Sequence, residues 1–332
     1  MNDTEETDTE ATDIEVGFTV MFVAIMLVAL AGNILLIQIV WKKPETRTLT
    51  SFMFVNMAVA DLLTALLQMP ITIFFLLKLT WIRGLAGEIT CKCFFYAGFT
   101  SITASILCLT IIAVDRFFTV FYPFQSIGWF RKAQIVSPII WIASLAVMAV
   151  SVTVVTLDKQ GCSYDQDKMI AFFYLLFVVN YLVPLIIISV LYGAIIYKLW
   201  SYKEPSTEVG QNGQGEEQKK KQLVRMLVII VAVFALCWLP TNVYQLERAI
   251  KGKSSFPNYV IYICFLLSQG NSAINPWLYI GLNRNFRQAA FSCTSENQNS
   301  RRERRREEVK LQRRAMERAA EREDSDSFQD KL

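Results

Sequence analysis

Residues 259–282 read YVIYICFLLSQGNSAINPWLYIGL, an apolar stretch of membrane-crossing length interrupted near its middle by Asn275-Pro276, within Asn275-Pro276-Trp277-Leu278-Tyr279. A mid-helix proline removes a backbone hydrogen bond and costs roughly 3 kcal/mol in water. An amide buried in lipid must find a partner. Folding an apolar helix calls for neither residue, so both point to function. Similar stretches lie near Val16 to Val40, Phe52 to Leu77, Thr90 to Phe121, Ala133 to Leu157, Met169 to Leu199 and Leu223 to Ala249. With 53% hydrophobic residues and a mean hydropathy of +0.35 over 332 residues, the chain is too apolar for an ordinary soluble domain. Crossing the ~30 Å hydrocarbon core takes about 20 apolar residues per helix. The expected fold class is therefore an all-α membrane protein, a bundle of seven transmembrane helices with its termini on opposite sides.

Short loops rich in Lys and Arg face the cytoplasm. Lys42, Lys43 and Arg47 follow the first span, Arg131 and Lys132 the third, Lys198, Lys203 and Lys219 to Lys221 the fifth, and Arg284 and Arg287 the seventh. The N-terminal segment carries Asp3, Glu5, Glu6, Asp8, Glu10, Asp13 and Glu15 with no Lys or Arg, which suits an extracellular tail and not a cleaved, basic signal peptide. The organisation read from this is an acidic outer tail over 1–15, a seven-span domain with a short amphipathic eighth helix over 16–291, and a charged cytoplasmic tail over 292–332. Asn2-Asp3-Thr4 is a glycosylation sequon, making Asn2 a candidate site. Glu204 to Gln218, rich in Gly, Gln and Glu, reads as a flexible inner loop. Asn283 to Phe291 reads as the amphipathic helix, with Phe286 and Phe291 toward lipid and Arg284 and Arg287 at the headgroups. Cys293 is a palmitoylation candidate. The alternating Arg and Glu of 301–324 read as a solvated, partly helical tail.

Cys91 and Cys162 both fall on the outer side, where a disulfide can persist. The alternatives are two free thiols, or Cys93 as the partner of Cys162. Cys108, Cys237 and Cys264 lie within spans and are expected to pack as small apolar residues. The chain has no histidine, which excludes imidazole catalysis, His metal ligands and the usual pH switch. Neither enzymatic activity nor a nucleic-acid partner is expected.

Polar groups at bilayer depth are costly. At 1.5 Å per residue, Asp61 lies roughly 14 Å from the inner start of its span, and Asn271 and Asn275 roughly 10 to 17 Å from the end of theirs. Asn33, Asp61, Ser105, Asn271, Ser272 and Asn275 can thus converge on one cluster of oxygens suited to a hard cation such as sodium. Any one Asn or Ser also serves as interhelical glue, but a lone carboxylate is poor glue. Asp115-Arg116, at the inner end of the third span, forms a second anomaly. Interfacial snorkelling explains Arg116 alone and the adjacent acid less well.

These landmarks carry a resemblance covering Val16 to Phe291. Gly32-Asn33, Ala60-Asp61-Leu62, Cys91 with Asp115-Arg116-Phe117, Trp141, Pro184 with Tyr192, Cys237-Trp238-Leu239-Pro240, and Asn275-Pro276 with Tyr279 occur in order and at matching depths. The chain resembles a rhodopsin-like (class A) G-protein-coupled receptor. The resemblance implies that Ile106, Pro184 and Phe234 form a packing switch under a ligand pocket and that Trp238 is the toggle at its floor. It implies a sodium pocket of Asp61, Ser105, Asn271 and Asn275, with sodium as an allosteric ligand. Asp115, Arg116, Tyr192, Asn275, Pro276 and Tyr279 would couple the pocket to a heterotrimeric G protein, with the tyrosines swinging toward Arg116 as the sixth helix moves outward. A receptor kinase and arrestin would act on the cytoplasmic tail. Lys219 to Lys221 stand where many relatives carry an acid that locks Arg116, which implies measurable basal activity.

The position of the amine-binding Asp of amine receptors falls at Gly98, so a primary-amine ligand is not expected. Gln269 stands where visual pigments carry their retinal Lys, which removes Schiff-base chemistry. Ala60-Asp61-Leu62-Leu63 with Pro70, Trp81 before Gly84, and Ile112-Ala113-Val114-Asp115-Arg116-Phe117 are similar to the neuropeptide Y, neuropeptide FF and tachykinin receptor group. The resemblance implies a plasma-membrane receptor for a neuropeptide, with lining residues Thr72, Phe75, Phe99, Ile102, Leu176, Asn180, Trp238, Thr241, Asn242, Gln245, Phe265 and Gln269. Taken singly, the Phe and Leu members also fit ordinary helix packing. The acidic outer tail favours a cationic peptide, with Glu247 or Glu88 as the acid meeting it, since Ala249 stands where some relatives read a ligand Arg. A receptor for a small molecule or lipid, and a decoy that binds without signalling, are the alternatives. A transporter would show repeats and broken helices, and none are found.

Overall fold

Apolar runs of this length become long helices because, in lipid, each backbone polar group has to bond within its own segment. The computed structural model describes residues 2–42, 48–122, 132–158, 161–201, 211–283 and 286–292, with the side chains of 2–12, 211–221 and 223 outside that description. The elements are α1 (Asn2–Lys42), α2 (Leu49–Leu76), α3 (Gly84–Phe121), α4 (Ala133–Met148), α5 (Ser151–Val154), a hairpin of β1 (Val155–Leu157) and β2 (Cys162–Tyr164), α6 (Gln166–Phe177), a π turn (Val178–Leu182), α7 (Val183–Ser201), α8 (Gln211–Lys251) and α9 (Asn258–Leu282).

Among the described residues, six helical stretches are long and apolar enough to cross a bilayer: Asp13–Lys42, Leu49–Leu76, Gly84–Phe121, Ala133–Val154, Gln166–Ser201 and Val224–Lys251. The 25-residue α9 is not among them, because Ser268, Gln269, Asn271, Ser272 and Asn275 dilute its hydropathy. It packs against α1, α2 and α8 as the seventh helix of the bundle. Large apolar side chains such as Leu27, Ile142, Val190 and Leu236 point outward. That pattern suits hydrocarbon, which exacts no cost for apolar exposure.

Three local readings change. The acidic N-terminal segment is helical from Asn2 and continuous with α1, as acids near a helix start favour. α8 begins at Gln211, so the loop expected over Glu204 to Gln218 is shortened at its end, Gln, Glu and Lys being good helix formers. Residues 286–292 are helical, but Phe286 turns inward rather than toward lipid. It is 3% exposed and lies edge-on against Phe54 at 6.0 Å, whereas Phe291 is exposed. The stack of Phe54 on Tyr279 leaves an aromatic edge there that Phe286 covers.

A π turn interrupts the fifth crossing just before Pro184. Pro184 has no N–H for the Asn180 carbonyl, and the preceding turn widens so that Val183 N–H bonds the Val178 carbonyl five residues back. α2 and α4 are tied where Trp141 Nε1 donates to Asn56 Oδ1 (3.1 Å) and Asn56 Nδ2 donates to Ser137 Oγ (2.8 Å).

Candidate functional site

The hairpin positions the roof of the site. Register pairs Val155 with Tyr164 and Leu157 with Cys162, and a disulfide joins Cys162 to Cys91 on α3, Cα to Cα 5.8 Å. Cys93 is free and exposed, while Cys108, Cys237 and Cys264 are free and buried. Beneath the hairpin is a cavity of ≈ 380 Å³, within the range of ligand pockets.

All the lining residues named from the sequence are on its wall: Thr72 and Phe75 from α2, Phe99 and Ile102 from α3, Leu176 and Asn180 from the fifth crossing, Trp238, Thr241, Asn242 and Gln245 from α8, and Phe265 and Gln269 from α9. Phe95 links the walls, its ring 6.4 Å from Phe75, 6.1 Å from Phe99 and 5.7 Å from Tyr164. Trp238 sits above Phe234, ring centroids 6.3 Å apart, and Phe234 is 6.1 Å from Tyr181. Ile106 and Phe234 share one buried cluster, and Pro184 is buried on α7.

Several polar atoms here are committed and others are free. Gln269 Nε2 donates to Thr72 Oγ1 (2.6 Å), Thr241 Oγ1 to the Cys264 carbonyl (2.6 Å) and Asn242 Nδ2 to the Trp238 carbonyl (2.9 Å). Gln269 Oε1, Asn180 Oδ1 and Gln68 Nε2 are buried without a hydrogen-bond partner. Gln68, Tyr164, Tyr244 and Arg248 also line the cavity and were not anticipated. Gln68 carried a signal, since it lies one helical turn before Thr72. Room for it comes from Gly98, where a Cβ would stand 1.8 Å from Gln68 Nε2. Tyr164 carried none, because its placement depends on the hairpin register. The two acids considered for a cationic ligand have local cations: Glu88 pairs with Lys92 (2.7 Å), and Glu247 pairs with Lys251 (3.0 Å) and accepts the Ser255 N–H (3.1 Å).

Below the cavity runs a polar column, and Pro276 explains its first contact. Ser272 lies four residues before Pro276, so its carbonyl is the one left without a helical donor. Asn33 Nδ2 donates to that carbonyl at 3.1 Å and to the Ala29 carbonyl at 2.9 Å. Gly32 permits the approach of α1, since a Cβ there would meet Pro276 Cγ at 2.7 Å and Trp277 Nε1 at 2.9 Å. The Asp61 carboxylate accepts from Ser272 Oγ (2.9 Å), Asn275 Nδ2 (3.2 Å) and Ser105 Oγ (3.3 Å). Asn271, grouped with Asp61 from the sequence, is buried nearby on α9 but makes no hydrogen bond to it, and Ser272 takes that contact. The side-chain oxygens of Asn33, Asn271 and Asn275 are buried and unpartnered. A carboxylate with neighbouring unpaired amide oxygens is a donor set that fits a hard monovalent cation.

At the end of the bundle away from the hairpin, Arg116 folds back onto Asp115 (2.8 Å), and both also bond Thr50, whose Oγ1 donates to Asp115 Oδ2 at 3.1 Å and accepts from Arg116. Tyr279 stacks on Phe54 at 4.1 Å and donates to Met57 Sδ at 3.4 Å. Tyr192 is buried in the same cluster as Tyr279. The tyrosines are thus packed in the core and not bonded to Arg116. Asn2's side chain and Cys293 lie outside the described residues.

A cavity at the hairpin end of the helix bundle, a buried carboxylate column beneath it and an acid-base pair at the far end fit a transmembrane signalling receptor. The chain matches the family described as 7 transmembrane receptor (rhodopsin family) over residues 32–279, and it belongs to that family. It is also similar to a QRFP-like peptide receptor of Branchiostoma floridae, 29% identical over an alignment of 289 residues, with 81% of this chain and 74% of the relative covered.

Proposed function

We propose that the protein is a plasma-membrane receptor with its N-terminus outside, which binds the end of a peptide in the outer cavity and activates a heterotrimeric G protein. The observation carrying this reading is the floor of the cavity: Trp238 lines it and packs toward Phe234, and the Asp61 and Asn275 column lies below. Ligand pressure on that floor has a path of buried, switchable polar contacts toward Arg116. The free amide groups of Gln269, Asn180 and Gln68 suit a peptide backbone or terminal amide, and the similarity to a peptide receptor supports the ligand class. The response would be outward movement of the sixth helix, with Tyr192 and Tyr279 leaving their packed positions for Arg116. A receptor kinase and arrestin would then act on the tail.

The test is a library of amidated peptides applied to cells expressing the protein, with calcium, cyclic AMP and G-protein recruitment as readouts. Binding without recruitment would support the decoy reading and sink this one. Asn275→Ala is expected to leave peptide affinity within about threefold while lowering the maximal response at least tenfold, roughly 1.4 kcal/mol of lost coupling. Equal losses of both would remove Asn275 from the coupling path.

The same reading assigns sodium to the Asp61 cluster as an allosteric ligand. Binding to the folded state stabilises by mass action. The purified protein should therefore have a higher thermal midpoint in sodium chloride than in N-methylglucamine chloride of equal ionic strength, and Asp61→Asn should erase the difference. A midpoint indifferent to sodium would exclude the site.

A further inference from the structure

Arg248 is the one charged side chain lining the cavity among the described residues. It lies near the outer end of α8, and its Nη1 donates only to the neutral hydroxyl of Tyr244, at 3.3 Å. Tyr164, also facing this space, provides no counter-charge, since burial pushes its hydroxyl up and keeps it protonated at neutral pH despite the opposing pull of Arg248. Three acids at this end of the bundle have other partners. Glu247, the residue before it, turns to Lys251 (3.0 Å) and the Ser255 N–H (3.1 Å). Glu88 pairs with Lys92 (2.7 Å) and Asp165 with Lys168 (3.1 Å). A guanidinium facing a cavity walled by aromatic rings, with no acid of its own, is the feature a ligand anion would complete.

A second observation lies deeper in the same cavity. Gln269 Oε1 and Asn180 Oδ1 are unpartnered acceptors on side chains that are each 8% exposed. Buried acceptors without donors are costly, so a ligand that presents N–H groups there and an anion at Arg248 satisfies both ends. The acids of the first turns of α1, Asp3 to Glu15, would repel such a ligand from afar. That field is screened within about 8 Å at physiological salt, whereas the Arg248 contact is short-ranged and partly desolvated.

Building on the peptide reading above, we infer that the cavity selects an acidic peptide end, with a side-chain carboxylate of Asp or Glu against Arg248 and backbone N–H groups donated to Gln269 and Asn180. This reverses the preference for a cationic peptide that the outer acids suggest.

The full chain in lipid nanodiscs, immobilised at 0.15 M salt, is exposed to N-acetylated, C-amidated pentapeptide libraries that differ only in a fixed Glu, Gln or Arg at each position in turn. Wild type is expected to retain Glu members at one or more positions at least tenfold over their Gln counterparts. Arg248→Gln should remove that preference, Arg248→Glu should shift it to Arg members, and Arg248→Lys should keep its sign, which separates charge recognition from misfolding. Retention of Arg or Gln members equal to or above Glu members by wild type overturns the inference and leaves the peptide reading standing. A Glu preference unchanged in Arg248→Glu also overturns it. If no library is retained, the inference and the peptide reading fail together.

Discussion

Replacing both bridged cysteines, Cys91→Ala with Cys162→Ala, is expected to give the largest loss of any paired change outside the column. The bridge closes a sequence separation of 71 residues, for which chain entropy alone corresponds to ~4 kcal/mol. Membrane insertion already confines the helices it joins, so about 2 kcal/mol is the lower expectation. The loss should concentrate in the roof. Tyr164 lies 5.2 Å from Phe173 and 5.7 Å from Phe95, on the hairpin that the bridge pins to α3. The double variant avoids rewiring of Cys162 to the free Cys93. A lowered thermal midpoint together with loss of saturable peptide binding is the expected result. A midpoint shift corresponding to less than about 1 kcal/mol, with binding intact, would show that packing alone holds the hairpin.

Asn33→Leu is expected to cost about 1–3 kcal/mol, because it keeps the side chain's bulk and leaves the Ser272 carbonyl buried without a donor. The mechanism has an internal check. Pro276→Ala restores the N–H that the Ser272 carbonyl lacks, so Asn33→Leu should cost about 1 kcal/mol less in that background than in wild type. Thermal midpoints of the four proteins in one detergent supply the cycle. Additive losses would mean that Asn33 acts through packing at Gly32 and not through that carbonyl.

These predictions also mark how far the sequence was legible. Seven apolar runs and the anomalies Asp61, Asp115-Arg116 and Asn275-Pro276 follow from hydropathy and the cost of polar groups in lipid. The lining residues came from the resemblance alone, and the structure places them around one cavity. Phe286 was misread because amphipathicity says that a ring is buried but not whether lipid or protein buries it, and Phe54 decides that. Asn271 and Ser272 are adjacent on a helix, about 100° apart, and depth alone does not separate them. The contact of Ser272 with Asp61 does.

The sequence by itself determined the number of crossings, the polar residues placed at bilayer depth and the proline that leaves one carbonyl unpaired, because each follows from the local rule that lipid offers no hydrogen bonds. The tertiary structure alone decided which donor answers that carbonyl, that Gln68 fills the space beside Gly98, and that Arg248 faces the cavity while Glu247 turns to Lys251. Such pairings depend on the rotation and approach of helices far apart in the chain, set by packing of whole faces, and no single segment encodes them.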